Sequence, residues 1–400
     1  MNGLDEERVE KIEFDLEDEY ENARRKSGVV PMGSLPQKIA FFTSIAVIVG
    51  CIGVNAVVIL GANKGEEVFS PVNVPDIVVD TPDDAPLPEL PPADLPLVTE
   101  PIWSERDGFS IERNEHFTGW LDLTGGSANI DLPVMSVTPE WYAETGAKRN
   151  YYLNRTFDRS GGSDRGTLYV DDNSPIRDSR RPDNTVIYGH NLSSLTMTPP
   201  FPGNPMFAYI SRYYYASTFE TSYRDNPTFN FTTVYTPEDD PSNTYLIFAG
   251  AFMNVNSKDG SVFDYHRRHY FDNNGRWGNA KDEFYDFVGN VMDRSIFVTD
   301  VDIEYGDEFV TLSTCLYPLT RKVNSRFALF GRRIRPGEDL SKIDFDAARL
   351  NSSPLYFDAW YRQKGGSWQG RGWDTDKVSG FDEWLEQNPT WSSTKPKPKK

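Results

Sequence analysis

The feature that most constrains this chain is a run of uncharged residues, 39–62. As a helix at about 1.5 Å per residue this run would be roughly 36 Å long, which matches a bilayer core of about 30 Å with some tilt. A buried core helix of this length would ordinarily keep a polar face, and a cleaved signal peptide has a shorter apolar run. We therefore expect residues 39–62 to form a transmembrane helix.

The residues that flank this run predict its orientation. Four basic residues precede it closely: Arg24, Arg25, Lys26 and Lys38. After it, Lys64 is followed at once by acidic residues. Basic residues are enriched on the cytoplasmic side of a membrane span. The polar tail 1–38 is therefore expected in the cytoplasm and the rest of the chain outside, in a single-pass protein of the cell membrane.

Much of the acidity of the chain lies just beyond this run. The formal net charge is −19, and residues 65–100 hold nine acidic residues, eight prolines and no basic residue. Prolines restrict the backbone and like charges repel, so residues 63–102 are expected to form an extended spacer. The overall acidity argues against a nucleic-acid-binding protein, which needs a basic surface.

Short β-rich runs dominate the chain after residue 102. The predicted strands are 166–171, 184–190, 228–235, 245–252, 295–299, 308–315 and 327–334. One helix is expected within 103–121, and a second at 281–294, where apolar residues recur with helical spacing. Many strands with few helices predict a barrel or a sandwich. Residues 337–400 are an aromatic-rich extension with a basic end, whose aromatic side chains we expect to pack on the barrel.

Cys315 is the one cysteine outside the predicted membrane span, since the other is Cys51. Extracellular proteins usually pair their cysteines, so an unpaired thiol is either a buried inert side chain or a retained reactive group. Strand alternation places Cys315 on the same face as Thr311 and Ser313. Pro318 should end the strand nearby, which would leave the thiol beside a loop.

Two further residues stand at predicted strand ends. Arg326 opens the strand after Cys315, and if the two strands are antiparallel neighbours its guanidinium would lie near the thiol and stabilise an oxyanion. By itself an arginine at a strand start is more often a solvated or paired surface group. His190 ends another strand, and histidine is the commonest proton partner of a nucleophilic cysteine.

These residues lie in motifs that resemble those of the sortases, most closely class B. The motifs are NTVIYGHN at 184–191, TLSTC at 311–315 and RFALFGR at 326–332. Weaker resemblance comes, in the expected order, from GWL at 119–121, DLPV at 131–134, YYL at 151–153 and GTLYVD at 166–171. The resemblance covers about 103–336 and implies an eight-stranded sortase β-barrel with an N-terminal helical extension.

The resemblance also implies an activity and its residues. Cys315 would be the nucleophile, His190 the acid and base, and Arg326 the oxyanion stabiliser of a cysteine transpeptidase of the Gram-positive cell surface. Such an enzyme cleaves a C-terminal sorting signal after threonine and transfers the acyl group to an amine. By position, Ser313, Asn150 and Leu153 would contact the substrate. Leu316 follows the cysteine where some members carry an acidic residue, so the preferred sorting motif is not predicted.

Several alternatives stay open on the sequence. The acceptor amine would come from a cell-wall precursor or from a pilin lysine, and water as acceptor would make the protein a hydrolase. A non-catalytic surface adhesin on the same scaffold is a further alternative. No cofactor and no metal are expected, because the loose pattern of Asp264, His266 and His269 lacks a third good ligand.

Overall fold

The computed structural model describes six segments of the chain. They are residues 97–126, 128–161, 166–191, 206–266, 280–319 and 323–394. The predicted cytoplasmic tail, the predicted membrane span at 39–62 and the spacer up to residue 96 lie outside the described residues. Among the six segments, none of the helices has both the length and the apolar character that crossing a bilayer requires.

Eight strands close into a barrel, which confirms the predicted eight-stranded, mainly β architecture. The strands are β1 Glu105–Arg106, β2 Phe109–Ser110, β3 Phe117–Gly125, β4 Ala128–Met135, β5 Leu168–Val170, β6 Asn184–Tyr188, β7 Thr228–Thr233, β8 Thr244–Asn254, β9 Phe297–Val298, β10 Phe309–Cys315, β11 Ser325–Arg333 and β12 Arg349–Leu350. The barrel order is β10-β11-β8-β7-β3-β4-β5-β6, and a parallel pairing of β6 with β10 closes it.

Five α-helices accompany the barrel in the described segments. They are α1 Pro139–Thr145, α2 Ala216–Asp225, α3 Ala280–Arg294, α4 Asp358–Lys364 and α5 Phe381–Gln387. The predicted helix 281–294 is confirmed as α3, and its apolar residues Phe284, Phe287, Val288 and Val291 are fully buried. The predicted strand 295–299 is only the two-residue β9, which pairs with β12 outside the barrel.

Side-chain alternation along β10 separates two environments. Val310 and Leu312 belong to one apolar core with Ile187 of β6, while Phe309 lies on the other face and its ring centroid is 6.1 Å from that of Phe287 in α3. Because residues two apart in a strand share a face, Cys315 lies on the same face of β10 as Phe309. The two residues are at opposite ends of the strand, and α3 packs on the end that carries Phe309. The thiol is half-buried.

The predicted helix within 103–121 is wrong. Residues 105–110 form the hairpin of β1 and β2, and β3 begins at Phe117. The turn of the hairpin is Asp107-Gly108, with φ of 50° and 79°. An Asp-Gly pair is a strong signal for a tight hairpin turn, because both central residues need a left-handed backbone. The described part of the N-terminal region, from residue 97, is therefore a hairpin rather than a helical extension.

The extension after residue 336 is fastened to α3 by tryptophans. Three aspartates on one stripe of the helix each accept a hydrogen bond from an indole N–H. The pairs are Trp384 with Asp282 (2.6 Å), Trp391 with Asp286 (2.7 Å) and Trp373 with Asp293 (2.8 Å). Spacings of four and seven residues bring the aspartates to the same side of the helix, so the extension lies along its length.

Asp293 is the most enclosed of these contacts. Its side chain is fully buried, and it also accepts a bond from Ser393 Oγ (2.5 Å) and faces Arg371 Nε at 3.2 Å. Burial raises the pKa of Asp293, and the nearby charge of Arg371 opposes that rise. This carboxylate therefore joins the end of α3 to two distant points of the extension.

Replacing Asp293 should destabilise the fold more than replacing Asp282. Asp293→Ala leaves a buried indole N–H, a hydroxyl and a guanidinium without their acceptor, so we expect a loss of about 3 kcal/mol in the free energy of unfolding. Asp282→Ala, on the same stripe but half-exposed, should cost about 1 kcal/mol or less. Denaturant unfolding measures both, and equal losses would contradict a special role for Asp293.

Candidate active site

Cys315 is the last residue of β10 and carries a free thiol. The strand ends three residues before Pro318, as predicted. β10 lies between β11, to which it is antiparallel, and β6, to which it is parallel. The thiol therefore has one neighbouring strand on each side, and the residues on those strands decide its surroundings.

Arg326 lies directly opposite Cys315. The antiparallel register of β10 and β11 pairs the two residues, which confirms the expectation that Arg326 is a neighbour of the thiol. Side chains of directly opposite residues lie on the same face, with Cβ atoms about 5 Å apart. The half-buried guanidinium donates from Nη1 to Asn324 Oδ1 (2.7 Å), so a side chain two residues earlier holds it in place.

His190 lies beside Cys315 on the other flank. β6 pairs with β10 up to Tyr188, opposite Ser313, and two bonds continue the contact. Gly189 N donates to Ser313 O (3.3 Å), and Thr314 Oγ1 donates to Gly189 O (2.6 Å). Continued by two residues, this register puts His190 level with Cys315. Cys315 therefore lies on the middle strand of three. Arg326 of β11 is on one side of it, and His190, just past the end of β6, is on the other.

Gly189 is needed for the close packing beneath His190. A Cβ on Gly189 would lie 2.5 Å from Leu168 Cδ2 and 2.8 Å from Phe207 Cγ. Phe207 is itself tied to the site, because its N–H donates to the carbonyl of His190 (2.9 Å). A larger side chain at 189 would therefore push the strand end that carries His190 away from the barrel.

The three residues predicted to contact the substrate have different surroundings. Leu153 is half-buried, and its carbonyl accepts a hydrogen bond from His190 Nε2 (2.7 Å). Asn150 is exposed, with φ of 57°, and its N–H donates to Asp172 Oδ2 (2.8 Å). Ser313 is fully buried, and its hydroxyl lies 2.9 Å from that of Tyr265. Because it is buried and its hydroxyl contacts that of Tyr265, Ser313 does not offer its side chain to a substrate in this structure.

A group of tyrosines around the thiol did not emerge from the sequence. Tyr169 and Tyr188 are paired across β5 and β6, and Tyr265 covers Ser313 on the same face. Tyr188 Oη donates to Asp171 Oδ2 (2.8 Å). Tyr265 lies in an irregular segment without periodicity, so no local signal marks it. Tyr188, in contrast, stands two residues before His190 on a strand, where alternation alone places both on one face.

These tyrosines report the electrostatics of the site. Burial raises the pKa of Tyr265 to about 12, and the charge of Arg326 opposes this rise while that of Cys315 adds to it. Burial likewise raises the pKa of Tyr169. The charges of Asp172 and Cys315 add to this rise, and that of Arg326 opposes it. Both phenols therefore stay neutral at physiological pH, and both lie within electrostatic range of the thiol and the guanidinium.

A buried polar cluster of Tyr152, Asn114 and His116 anchors the turn that carries Leu153. Tyr152 is fully buried, and its hydroxyl accepts a bond from Asn114 Nδ2 (2.7 Å) and lies 2.9 Å from His116 Nδ1. The ring of His116 is 6% exposed, and its Nε2 has no hydrogen-bond partner. Burial and then the charge of Arg159 lower the pKa of His116 to about 4.

The arrangement can support nucleophilic acyl transfer. It combines a thiol at the edge of a covered face, an imidazole held by a carbonyl and a fixed guanidinium. Within the six described segments, no group of three or more histidine, cysteine, aspartate or glutamate side chains could hold a metal ion.

No family model matches this chain, and no curated protein matches it either. It is similar to solved structures of class B sortases, the family that the motifs resemble. Sortase B of Staphylococcus aureus in complex with substrate is 21% identical, with a TM-score of 0.40 over 56% of this chain and 82% of that one. Sortase B of Clostridium perfringens is 20% identical (TM-score 0.41; 56% and 97%), and that of Listeria monocytogenes 21% (0.38; 55% and 96%).

The buried His116 should make the fold sensitive to acid. Its pKa is about 4 in the folded chain against an ordinary value of 6.5, so between these values the unfolded chain binds a proton that the folded chain does not. The contribution of His116 to stability is therefore present above pH 6.5 and lost as the pH falls towards 4, by up to about 3 kcal/mol.

The variant His116→Gln removes this titration and keeps a polar group for Tyr152. The free energy of unfolding of the wild type minus that of the variant, measured from pH 7 to pH 4, should fall with the pH. Other acid-sensitive groups cancel in this difference. A difference that stays constant over the range would show that His116 binds its proton equally in the folded and the unfolded chain.

Proposed function

We propose that the chain is a sortase-type cysteine transpeptidase. It cleaves a C-terminal sorting signal of secreted proteins after threonine and transfers the acyl group to an amine of a cell-wall precursor. The observation that carries the proposal is the placement of Cys315 level with Arg326 on one neighbouring strand and with His190 on the other. The sequence motifs around the three residues support the same activity.

In the first step Cys315 passes its proton to His190, its sulfur attacks the carbonyl carbon of the threonine, and a C–S bond forms. The carbonyl oxygen becomes an oxyanion, which the guanidinium of Arg326 stabilises from the adjacent strand. Since Asn324 Oδ1 holds Nη1 at 2.7 Å, the guanidinium is oriented before the charge develops, which is where electrostatic stabilisation is most effective. The peptide C–N bond then breaks, and the leaving amine takes a proton from His190.

In the second step an amine attacks the thioester. His190 accepts the proton of this amine, the C–S bond breaks, and Cys315 is released as a thiol or thiolate. The new amide joins the sorted protein to the acceptor. A pilin lysine would react in the same way, and water would give hydrolysis, so the acceptor decides the biological outcome while the residues keep their roles.

The location follows from the sequence and is part of the proposal. The apolar run 39–62 anchors the chain in the cell membrane, and its flanking charges place the N-terminus in the cytoplasm. The acidic and proline-rich spacer 63–102 then separates the barrel from the membrane. Acceptor amines at the cell surface would be within reach of a domain tethered in this way.

A thioester on Cys315 is the direct test. The full chain, purified in a mild detergent, is incubated with a set of sorting-signal peptides and analysed by intact and peptide mass spectrometry. We expect an acyl adduct on Cys315 that disappears when an amine is added, with a new amide product. Cys315→Ala should form neither. The absence of an adduct with every peptide, in a chain folded by circular dichroism, would refute the proposal.

A competition experiment identifies the preferred acceptor amine. Triglycine, a wall-precursor stem peptide and a peptide with a free lysine compete in one reaction, and the products are counted by mass. The proposal expects the wall-type amine to dominate. A dominant lysine product would indicate pilin polymerisation, and free acid alone would indicate a hydrolase.

Arg326→Lys should lower activity steeply. A compact ammonium cannot reproduce the planar guanidinium that faces the oxyanion, so kcat should fall about 100-fold or more while the fold is kept. The exposed Arg180→Lys is the matched control and should retain wild-type turnover. Steady-state kinetics with the best peptide measures both variants, and wild-type turnover of Arg326→Lys would show that another group stabilises the oxyanion.

A further inference from the structure

We propose that the backbone carbonyl of Leu153 fixes the catalytic orientation of His190, and that Gly166 is the residue that makes this possible. In this arrangement Nε2 of His190 is held by the carbonyl, and Nδ1 is the nitrogen that exchanges a proton with Cys315. The inference rests on the proposed function for the meaning of that proton exchange. Leu153 and Gly166 act as positioning residues, since neither exchanges the proton.

The first step of the argument is the contact itself. His190 Nε2 lies 2.7 Å from the oxygen of Leu153. A carbonyl oxygen can only accept a hydrogen bond, so Nε2 must carry the proton. In the neutral ring the proton is then absent from Nδ1, which becomes the basic nitrogen. In the charged ring both nitrogens carry protons, and the same carbonyl stabilises the positive charge.

The second step concerns the turn that presents this carbonyl. Residues Tyr151–Asn154 form a 3-10 helix, in which the N–H of Leu153 donates to Asn150 O (2.9 Å). The N–H of Thr167 donates to Tyr152 O (3.0 Å), which ties the turn to the segment that leads into β5. The buried side chain of Tyr152 anchors the turn from the opposite side. The carbonyl of Leu153 is therefore part of a rigid support.

The third step is the lack of space at Gly166. Its φ is +61°, and a Cβ built on it would lie 2.2 Å from Leu153 O and 2.6 Å from Tyr152 O. Both atoms belong to the backbone, so no side-chain rotation relieves the clash. Any other residue at 166 must move the turn, and the carbonyl of Leu153 would move with it. A glycine is thus required at this point for His190 to keep its partner.

The chain offers a matched control for this glycine. Gly146, at the end of α1, has a similar φ of +68°, but a Cβ there would meet nothing within 4 Å. Alanine at either position strains the backbone in the left-handed region to a similar degree. Only alanine at 166 collides with the support of His190, so the pair of variants separates the collision from the strain.

The orientation can be measured without any activity. The full chain is labelled with ¹⁵N-histidine in a Cys315→Ala background, so that no thiolate holds the second proton of the ring. The sequence contains only four histidines, and a His190→Gln variant identifies the signal. At a pH above the titration of the ring, we expect Nε2 to be protonated and Nδ1 not. The opposite tautomer, or an equal mixture, would overturn the inference even if transpeptidation had been demonstrated.

The two glycine variants complete the test. Gly166→Ala should shift His190 to a mixture of tautomers and lower kcat about 10- to 100-fold with a small change in KM, because a displacement of about 1 Å suffices for such a loss. Gly146→Ala should keep the tautomer and the turnover of the wild type. An unchanged tautomer in folded Gly166→Ala would overturn the role of Gly166. If that variant does not fold, the tautomer in the Cys315→Ala chain decides whether the Leu153 carbonyl holds His190.

Discussion

The parallel pairing of β6 with β10 is the constraint on which the rest of the structure depends. It closes the barrel, and it joins segments that are more than 120 residues apart in the chain. In this pairing Ser313 lies opposite Tyr188. His190, two residues after Tyr188, is therefore level with Cys315, two residues after Ser313. A slip by one residue would turn every side chain of β6 to the opposite face. The geometry of the site is therefore a consequence of barrel closure.

Within the described segments, packing around the barrel leaves Cys315 half-buried while its neighbours on the same strand face are buried. α3 packs on Phe309 at the start of this face, and the extension after residue 336 fastens α3 through three tryptophan–aspartate bonds. The fully buried hydroxyl of Ser313 lies under Tyr265. Cys315 is the first residue on this face beyond the cover. The extension thus stabilises the helix that packs on the start of the strand whose last residue is Cys315.

Some of these relations could be predicted from local sequence patterns. Alternation along 309–315 placed Cys315 with Ser313, and two consecutive strands made Arg326 a neighbour of the thiol, which the register confirms. The helical spacing of apolar residues predicted α3 almost to its bounds. The expected helix within 103–121 was wrong, although the Asp107-Gly108 pair was a signal for the hairpin that is present.

The sequence by itself determined six of the eight barrel strands, the two faces of β10 and the pairing of Cys315 with Arg326, because these depend on residues close together in the chain. It did not predict β3 and β4. The tertiary structure alone decided that His190 lies level with Cys315, that Tyr265 covers Ser313 and that Leu153 holds the imidazole. It also decided the need for Gly166, whose missing side chain makes room for a carbonyl thirteen residues earlier. Such contacts arise where the barrel closes and turns pack against it, and no periodicity in a single segment encodes which distant atoms will meet.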